Sequence, residues 1–325
     1  MIYIENTSLD PFLNLAYEEY ILRSLNLDED CLMLWRNDNS IIVGKHQNTI
    51  EEINEEYVKE KHIKVARRIT GGGAVYHDLE NLNFSFILRK NVSASDMHKL
   101  GIPMVNALKE IGIDAELSGR NDITIDGKKV SGTAKAIHKD KLLYHGAILF
   151  NSNMEVLSKA LRVKQNKIES KGIKSVSSRV ANIKDYLKED IDILEFKEIL
   201  KDYFFPDGLK EYHLSDAELS EIKSLRDNKF STWEYIYGSS PKFNFKNSKR
   251  FPAGEVEVFL LVEHGFITKC NIYGDFLGES NIDLNELFIG KKYERDEIFN
   301  VLNQFKEKQL FGDISNDEIL GCFFD

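Results

Sequence analysis

The stretch "RRITGGGAVYHD", Arg67 to Asp78, places three consecutive glycines between an arginine pair and a His-Asp pair, in a chain with only 20 glycines among 325 residues. Three residues without a Cβ let a ligand lie against the main chain. Glycine also adopts positive φ, so successive N–H groups can converge on an anion. β-rich runs surround the stretch: "CLMLWR", "SIIVGK" and "KVARRI" come before it, and "GAVYHD" and "LNFSFIL" begin within or after it. The expected context is therefore strand, glycine turn, strand. A Walker-type phosphate loop needs a helix after its glycines and a GK[ST] ending, whereas Gly73 is followed by Ala74 and Val75. Two readings stay open for the loop by itself, an anion cradle or a plain connection between strands.

Working outward, "DPFLNLAYEEYILRSL" offers Asp10 as an N-cap, Pro11 as the first helical residue, and Leu13, Ala16, Tyr17, Tyr20 and Ile21 on one face. A helix is expected around "PMVNALKEIGI". A strand meander follows through "GRNDITIDGKKVSGTAKAIHKDKLLYHGAILF", where Asp126-Gly127 signals a two-residue hairpin. That turn puts Lys128 and Lys129 at the start of the returning strand. Alternation aims one of them to the inner face beside Ser131, where a lysine wants an anion.

Composition narrows the class. With 42% hydrophobic and 30% charged residues the chain can bury a core, and its length suggests two domains. The N-terminus has no basic region followed by an apolar run, and no apolar stretch approaches membrane-spanning length, so a cytoplasmic protein that does not enter membranes is expected. Cys31, Cys270 and Cys322 are too scattered for a disulfide framework or metal cluster and read as reduced thiols. A net charge of −10 argues against nucleic acid as a partner. The acid is concentrated after Ser248, with 15 acidic against 8 basic residues, whereas Lys159 to Lys184 holds eight basic residues and one acid, Glu169.

Five ordered segments, "ARRITGGGAVYHD", "GRNDITIDGKKVSGTAKA", "YHGAILFN", "KGIKSVSSRVANI" and "TWEYIYGSSPKFNF", resemble in order and spacing the motifs of lipoate–protein ligases. The resemblance implies an α/β (α+β) chain. Residues 1–246 would form a biotin/lipoate-ligase-like catalytic domain, a mixed, mostly antiparallel sheet with flanking helices, and 247–325 a small α+β accessory domain. It implies a two-step reaction: lipoate attacks the α-phosphate of ATP to give lipoyl-adenylate, and an acceptor lysine then takes the lipoyl group as an amide. By position, Lys129 would contact both the lipoyl carboxyl oxygen and the α-phosphate as an electrostatic clamp. Arg68 would meet the ligand at the loop entrance, and Gly71, Gly72, Gly73, Ala74, Val75 and Tyr76 would wrap the adenylate. Arg68, Thr70, Gly73, His77 and Lys129 would contact lipoate. Asn121 and Asp122 would serve phosphate and Mg²⁺, with Asp122 the metal ligand. Lys171, Gly172, Ile173, Lys174, Ser175, Val176, Ser177 and Ser178 would form an adenylate-covering loop.

The resemblance further implies ATP and Mg²⁺ as cofactors. The acceptors would be lipoyl domains of 2-oxoacid dehydrogenase subunits or the glycine cleavage H protein, met by a monomer, and the charge count leads us to expect that its basic Lys159–Lys184 region faces an acidic acceptor surface. An octanoyl- or lipoyltransferase on the same fold would need a cysteine thiolate, and no cysteine lies between Cys31 and Cys270. Biotin–protein ligase lacks support because its GRGRxG-type loop is absent. A non-catalytic lipoate or nucleotide sensor is the remaining rival. Trp233 and Tyr237 are expected in the core or between domains, and "NSKRFPAGE" as a linker before a C-terminal hairpin and helices.

Overall fold

A computed structural model describes residues 1–47, 49–89, 97–119, 121–161, 179–237, 245–278 and 282–324. The first helix, Pro11–Arg23, begins as its sequence dictates: the Asp10 side chain accepts from Phe12 N–H, and Pro11 takes the position where a missing N–H costs nothing. Its burial is wider than the single face expected. Asn14, Leu15, Glu18, Glu19 and Leu22 are buried as well. The helix lies between two sheets, sharing one buried cluster with Met33, Trp35 and Leu143 of the large sheet and with Ile42 and Ala66 of the small one.

The large sheet runs β1 (Ile2–Tyr3), β2 (Cys31–Trp35), β6 (Asn81–Arg89), β10 (Lys141–Leu149), β9 (Lys128–His138), β8 (Asp122–Ile125) and β7 (Glu116–Ser118) in spatial order. Only β1 and β2 pair in parallel. The Asp126-Gly127 hairpin forms as expected, with φ of 50° and 72° at the two turn residues. Behind this sheet, Leu100, Met104 and Leu108 of helix Met97–Glu110 and Phe196 and Leu200 of helix Ile193–Phe204 bury Phe84, Phe86 and Tyr144. The helix expected from Pro103 onward starts earlier, at Met97, so Pro103 stands inside it.

The small sheet has the order β4 (Lys64–Arg67), β3 (Ser40–Val43), β5 (Val75–His77), with β4 parallel and β5 antiparallel to β3. Because β4 and β5 flank β3 on opposite sides, the glycine loop between them must cross the end of β3. It crosses at Gly44, where a Cβ would lie 2.0 Å from the Gly72 carbonyl oxygen. Gly44 is thus a close-approach glycine that periodicity could not mark.

Residues 247–255 are not a linker. They belong to the hairpin of β11 (Phe245–Phe251) and β12 (Gly254–Glu263), which pairs on with β13 (Phe266–Gly274). The alternation of half-buried and exposed residues along β11 is that of an edge strand, with Pro252 confined to the turn. Val258, Phe276, Phe288, Ile298, Phe311 and Phe323 anchor a separate core under this sheet, closed by helices Arg295–Asn303 and Asn316–Phe324. Trp233 also departs from expectation. The one-turn helix Trp233–Ile236 directs Ile236 inward, which leaves Trp233 56% exposed and stacked on Tyr237.

Candidate active site

The two arginines of the opening stretch do different work. Arg67 lies under the chain with every nitrogen on protein: it donates to the carbonyls of Gly44, Lys45, Gln47, Tyr235 and Ile236 and to Thr49 Oγ1. It clamps the small sheet to the one-turn helix. Arg68, 7% exposed, folds beneath the glycine loop and donates to Thr70 Oγ1, Ile42 O, Gly71 O and Gly73 O. Burial lowers its pKa to about 10, which still leaves it a cation at neutral pH. The positive charge under the loop is therefore built in, and it holds the Gly71 and Gly73 carbonyls.

The three glycines answer three separate demands. A Cβ on Gly71 would stand 2.4 Å from the Phe276 carbonyl oxygen, so this glycine admits the accessory domain. Gly72 has φ of +93°, a conformation that L side chains resist. Gly73 has open space where a Cβ would go and borders the cavity.

That cavity, about 120 Å³, is bounded by Arg68, Gly72, Gly73, Ala74, Val75 and His77 on the loop side and by Asn121, Lys129 and Gly132 on the large sheet. Leu15, Trp35, Ile42, Ala134 and Ala147 supply an apolar wall. A larger cleft of about 480 Å³ lies between β13 and the catalytic body. Arg23, Lys45, Arg67 and Lys229 line one side, the first and last paired with Glu19, and Asn271 and Tyr273 of β13 line the other, which makes this cleft the seam between the domains. In the smaller cavity an apolar wall, bare backbone and an ammonium meet.

Lys129 Nζ stands 2.7 Å from Asp122 Oδ1, with both side chains about one-third exposed. It lies over Gly132, where a Cβ would meet Nζ at 2.8 Å and Cε at 2.9 Å. Both backbone groups of Lys129 are held from across the site: its N–H donates to Arg179 O, and Ala181 N–H donates to its carbonyl. Asn121 is pinned to β9, its side-chain amide donating to Thr133 O at 2.7 Å. Among the described residues no group of three or more His, Cys, Asp or Glu could hold a metal ion.

His77 receives a hydrogen bond from Asn37 Nδ2 at Nδ1, which assigns the ring hydrogen to Nε2. Burial first, then nearby Arg68 and His145, push its pKa down to about 3, so the ring is neutral. Tyr76 alternates to the opposite face and bonds Asn39, so only its backbone is available on the loop side. Thr70 lies behind the wall, between Arg68 and His145. Residues 171–178 lie outside the described residues, as does most of the basic Lys159–Lys184 stretch. At its ends, Lys159 pairs with Glu155 and Lys184 with Asp190.

Sequence reading missed several members. His145 and Gly146 stood in "YHGAILFN" without a role. Glu18 lies outside the face expected for the first helix, and it is fully buried and 2.7 Å from His145 Nδ1. Gly132 had no visible signal beyond its place among small residues.

One cavity of this chain brings an apolar wall, an ammonium and a glycine-lined backbone together, the residue types an acyl-activating protein needs. The chain belongs to the lipoyl protein ligase A/B family: residues 10–205 match the model of the lipoyl protein ligase A/B catalytic domain, and 240–323 that of the bacterial lipoate protein ligase C-terminus. It is 43% identical to lipoate-protein ligase LplJ of Bacillus subtilis, with all of both chains covered. Among solved structures it is similar to P. falciparum LipL1 in complex with lipoate (TM-score 0.80, 29% identity, 98% of each chain). It is also similar to lipoate-protein ligase A bound with ATP (TM-score 0.63, 32% identity, 73% of this chain and 97% of the other). A third likeness is to a bi-partite lipoate protein ligase of Thermoplasma acidophilum, from a study of an archaeal lipoylation system with its E2 lipoyl domain (TM-score 0.66, 34% identity, 75% and 98%). Among the described residues no helix is long and apolar enough to cross a membrane.

Proposed function

We infer that this chain is an ATP-dependent lipoate–protein ligase that makes lipoyl-AMP and passes the lipoyl group to a lysine of a lipoyl domain. One observation carries the reading beyond family membership: a single cavity joins the apolar wall of Leu15, Trp35 and Ile42 to Lys129 and the Gly72–Gly73 backbone. A carboxylate is a poor acyl donor because oxide leaves badly, whereas AMP leaves readily. The first step brings an anion to a polyanion, so fixed positive charge and N–H donors are needed where negative charge gathers. Lys129 supplies the mobile cation, clamping the acid's carboxylate to the α-phosphate. Arg68 supplies the fixed one, holding Gly71 and Gly73 in place through their carbonyls. His77 borders the same cavity, and its buried Nε2–H has no partner among the described residues.

Asp122 would hold Mg²⁺ as a protein carboxylate among phosphate oxygens and water, and its place 2.7 Å from Lys129 Nζ fits such a site. The metal neutralises phosphate charge when bound. Asn121 orients β8 toward the same phosphates. We take the catalytic unit to end before β11 (Phe245–Phe251), slightly ahead of the 1–246 and 247–325 division expected from the sequence, because that strand pairs wholly within the accessory sheet, and we take 171–178 to cover the adenylate against water. The acceptors we propose are lipoyl domains of 2-oxoacid dehydrogenase subunits and the glycine cleavage H protein. They would meet a cytoplasmic monomer, a setting that three free, buried cysteines suit.

The transferase alternative needs a thiolate at the acyl group. Cys31, Cys270 and Cys322 are all buried, none borders the cavity, and burial raises each thiol's pKa, to about 11 for Cys31 and Cys322. The test is mass spectrometry of an apo lipoyl domain incubated with the chain, Mg²⁺-ATP and lipoate. An ATP-dependent gain of one lipoyl group on the acceptor lysine is expected. Transfer only from an octanoyl carrier would replace the ligase by a transferase, and no pyrophosphate exchange would leave a sensor.

A further inference from the structure

Two hydrogen-bond chains converge on one oxygen behind the cavity wall. In the first, Trp35 Nε1–H donates to Ser85 Oγ at 2.8 Å, and Ser85 O–H donates to Glu18 Oε1 at 2.6 Å. The second starts at Arg68, whose Nε donates to Thr70 Oγ1 at 3.0 Å, so Thr70 directs its own hydrogen to His145 Nε2 at 2.8 Å. His145 Nδ1 then carries the hydrogen that reaches Glu18 Oε1 at 2.7 Å. An indole N–H and a guanidinium only donate and a carboxylate only accepts, so the polarity of both chains is fixed from their ends.

The members divide by position. Trp35, His145 and Arg68 border the cavity, whereas Glu18, Ser85 and Thr70 do not. Glu18 and Ser85 are 0% exposed. A carboxylate that far from water is retained only where donors compensate it, and the two donors to its Oε1 come from β6 and β10 of the large sheet, the second backed by Thr70 and Arg68 of the glycine loop. Ser85 lies on β6 of the large sheet, opposite Met33 of β2 and His145 of β10, and Thr70 opens the glycine loop.

We propose that Glu18 and Ser85 are positioning residues that tie the acyl wall, Trp35 and His145, to the glycine loop through Thr70 and Arg68, so that seating of the acyl chain sets where the loop backbone meets the nucleotide. The inference rests on the ligase reading for the identity of the two ligands. Its mechanism is competition at one oxygen: losing the Ser85 donor lets the His145 chain shorten, and the loop follows through Thr70. Chains of this kind polarise one another, so their members act as a unit.

The experiment is a double-mutant cycle of Ser85→Ala and Thr70→Val in the full-length chain, read by single-turnover lipoyl-adenylate formation. Ser85→Ala is expected to raise the lipoate KM about 10-fold and, although it lies behind the acyl wall, the ATP KM about 3-fold. The double variant is expected to fall short of the product of the singles by about 5-fold or more. Emission of Trp35 in a Trp233→Phe background gives a readout without turnover, and Thr70→Val should shift it even though Thr70 makes no bond to Trp35. Additive kinetics with an unmoved emission spectrum would overturn the proposal. Absence of adenylate from the wild-type chain would instead strike the ligase reading, leaving the emission result to judge the network.

Discussion

Gly132→Ala tests the placement of Lys129 without touching its charge. The new Cβ would stand 2.8 Å from Nζ and 2.9 Å from Cε, against an ordinary carbon contact of roughly 3.5–4.0 Å. The obstructing atoms are the far end of a flexible side chain about one-third exposed, so they move and the backbone does not. The ammonium must shift by roughly 1 Å, away from Asp122 and from the place where carboxylate and phosphate meet. A misplacement of that size costs on the order of 10²-fold in rate, whereas stability should change by less than about 1 kcal/mol because no packed atom is displaced. Pyrophosphate exchange measures the first step and thermal unfolding the fold. An exchange rate within about 3-fold of wild type, with an unchanged melting temperature, would refute the argument that Gly132 exists to seat Lys129.

Lys129→Ala should lower adenylate formation by several orders of magnitude with the fold intact, and normal pyrophosphate release by that variant would remove the lysine from the mechanism. Gly71→Ala meets a backbone oxygen 2.4 Å away and should weaken domain docking, lowering stability by about 1–3 kcal/mol and raising the radius of gyration in solution scattering. Unchanged scattering and melting would show the contact to be dispensable. His46, stacked on Phe276 beside Lys45 and Arg67, and His77, beside Arg68 and His145, both have pKa values lowered to about 3, mainly by burial. The unfolded chain takes up protons at these histidines below its ordinary value of about 6.5 while the folded chain excludes them. Their stabilising effect is therefore complete above about pH 6.5 and declines as pH falls toward 3, by roughly 2 kcal/mol for each at pH 5. Urea midpoints that stay level from pH 7 to 5 would count against neutral buried rings.

Local physics made much of the molecule legible in the chain. Asp10-Pro11 starts the first helix, Asp126-Gly127 makes the hairpin that sets Lys129, and the strand–glycine–strand order follows from residues that must adopt their own backbone conformations whatever surrounds them. Other features needed the tertiary structure, because their causes are partners distant in sequence. A buried carboxylate at Glu18 creates a demand for donors, but nothing near it states that one lies 127 residues away at His145. Gly44 and Gly71 are glycines because of the backbones that cross them, Gly72 in one case and Phe276 in the other, and β11 is a strand because β12 pairs with it. Backbone preference is decided within a few residues and can be read from them. Close approach and charge compensation are decided by whatever the completed fold brings alongside, so the sequence by itself located the loop and its lysine, and only the packed structure determined what holds them in place.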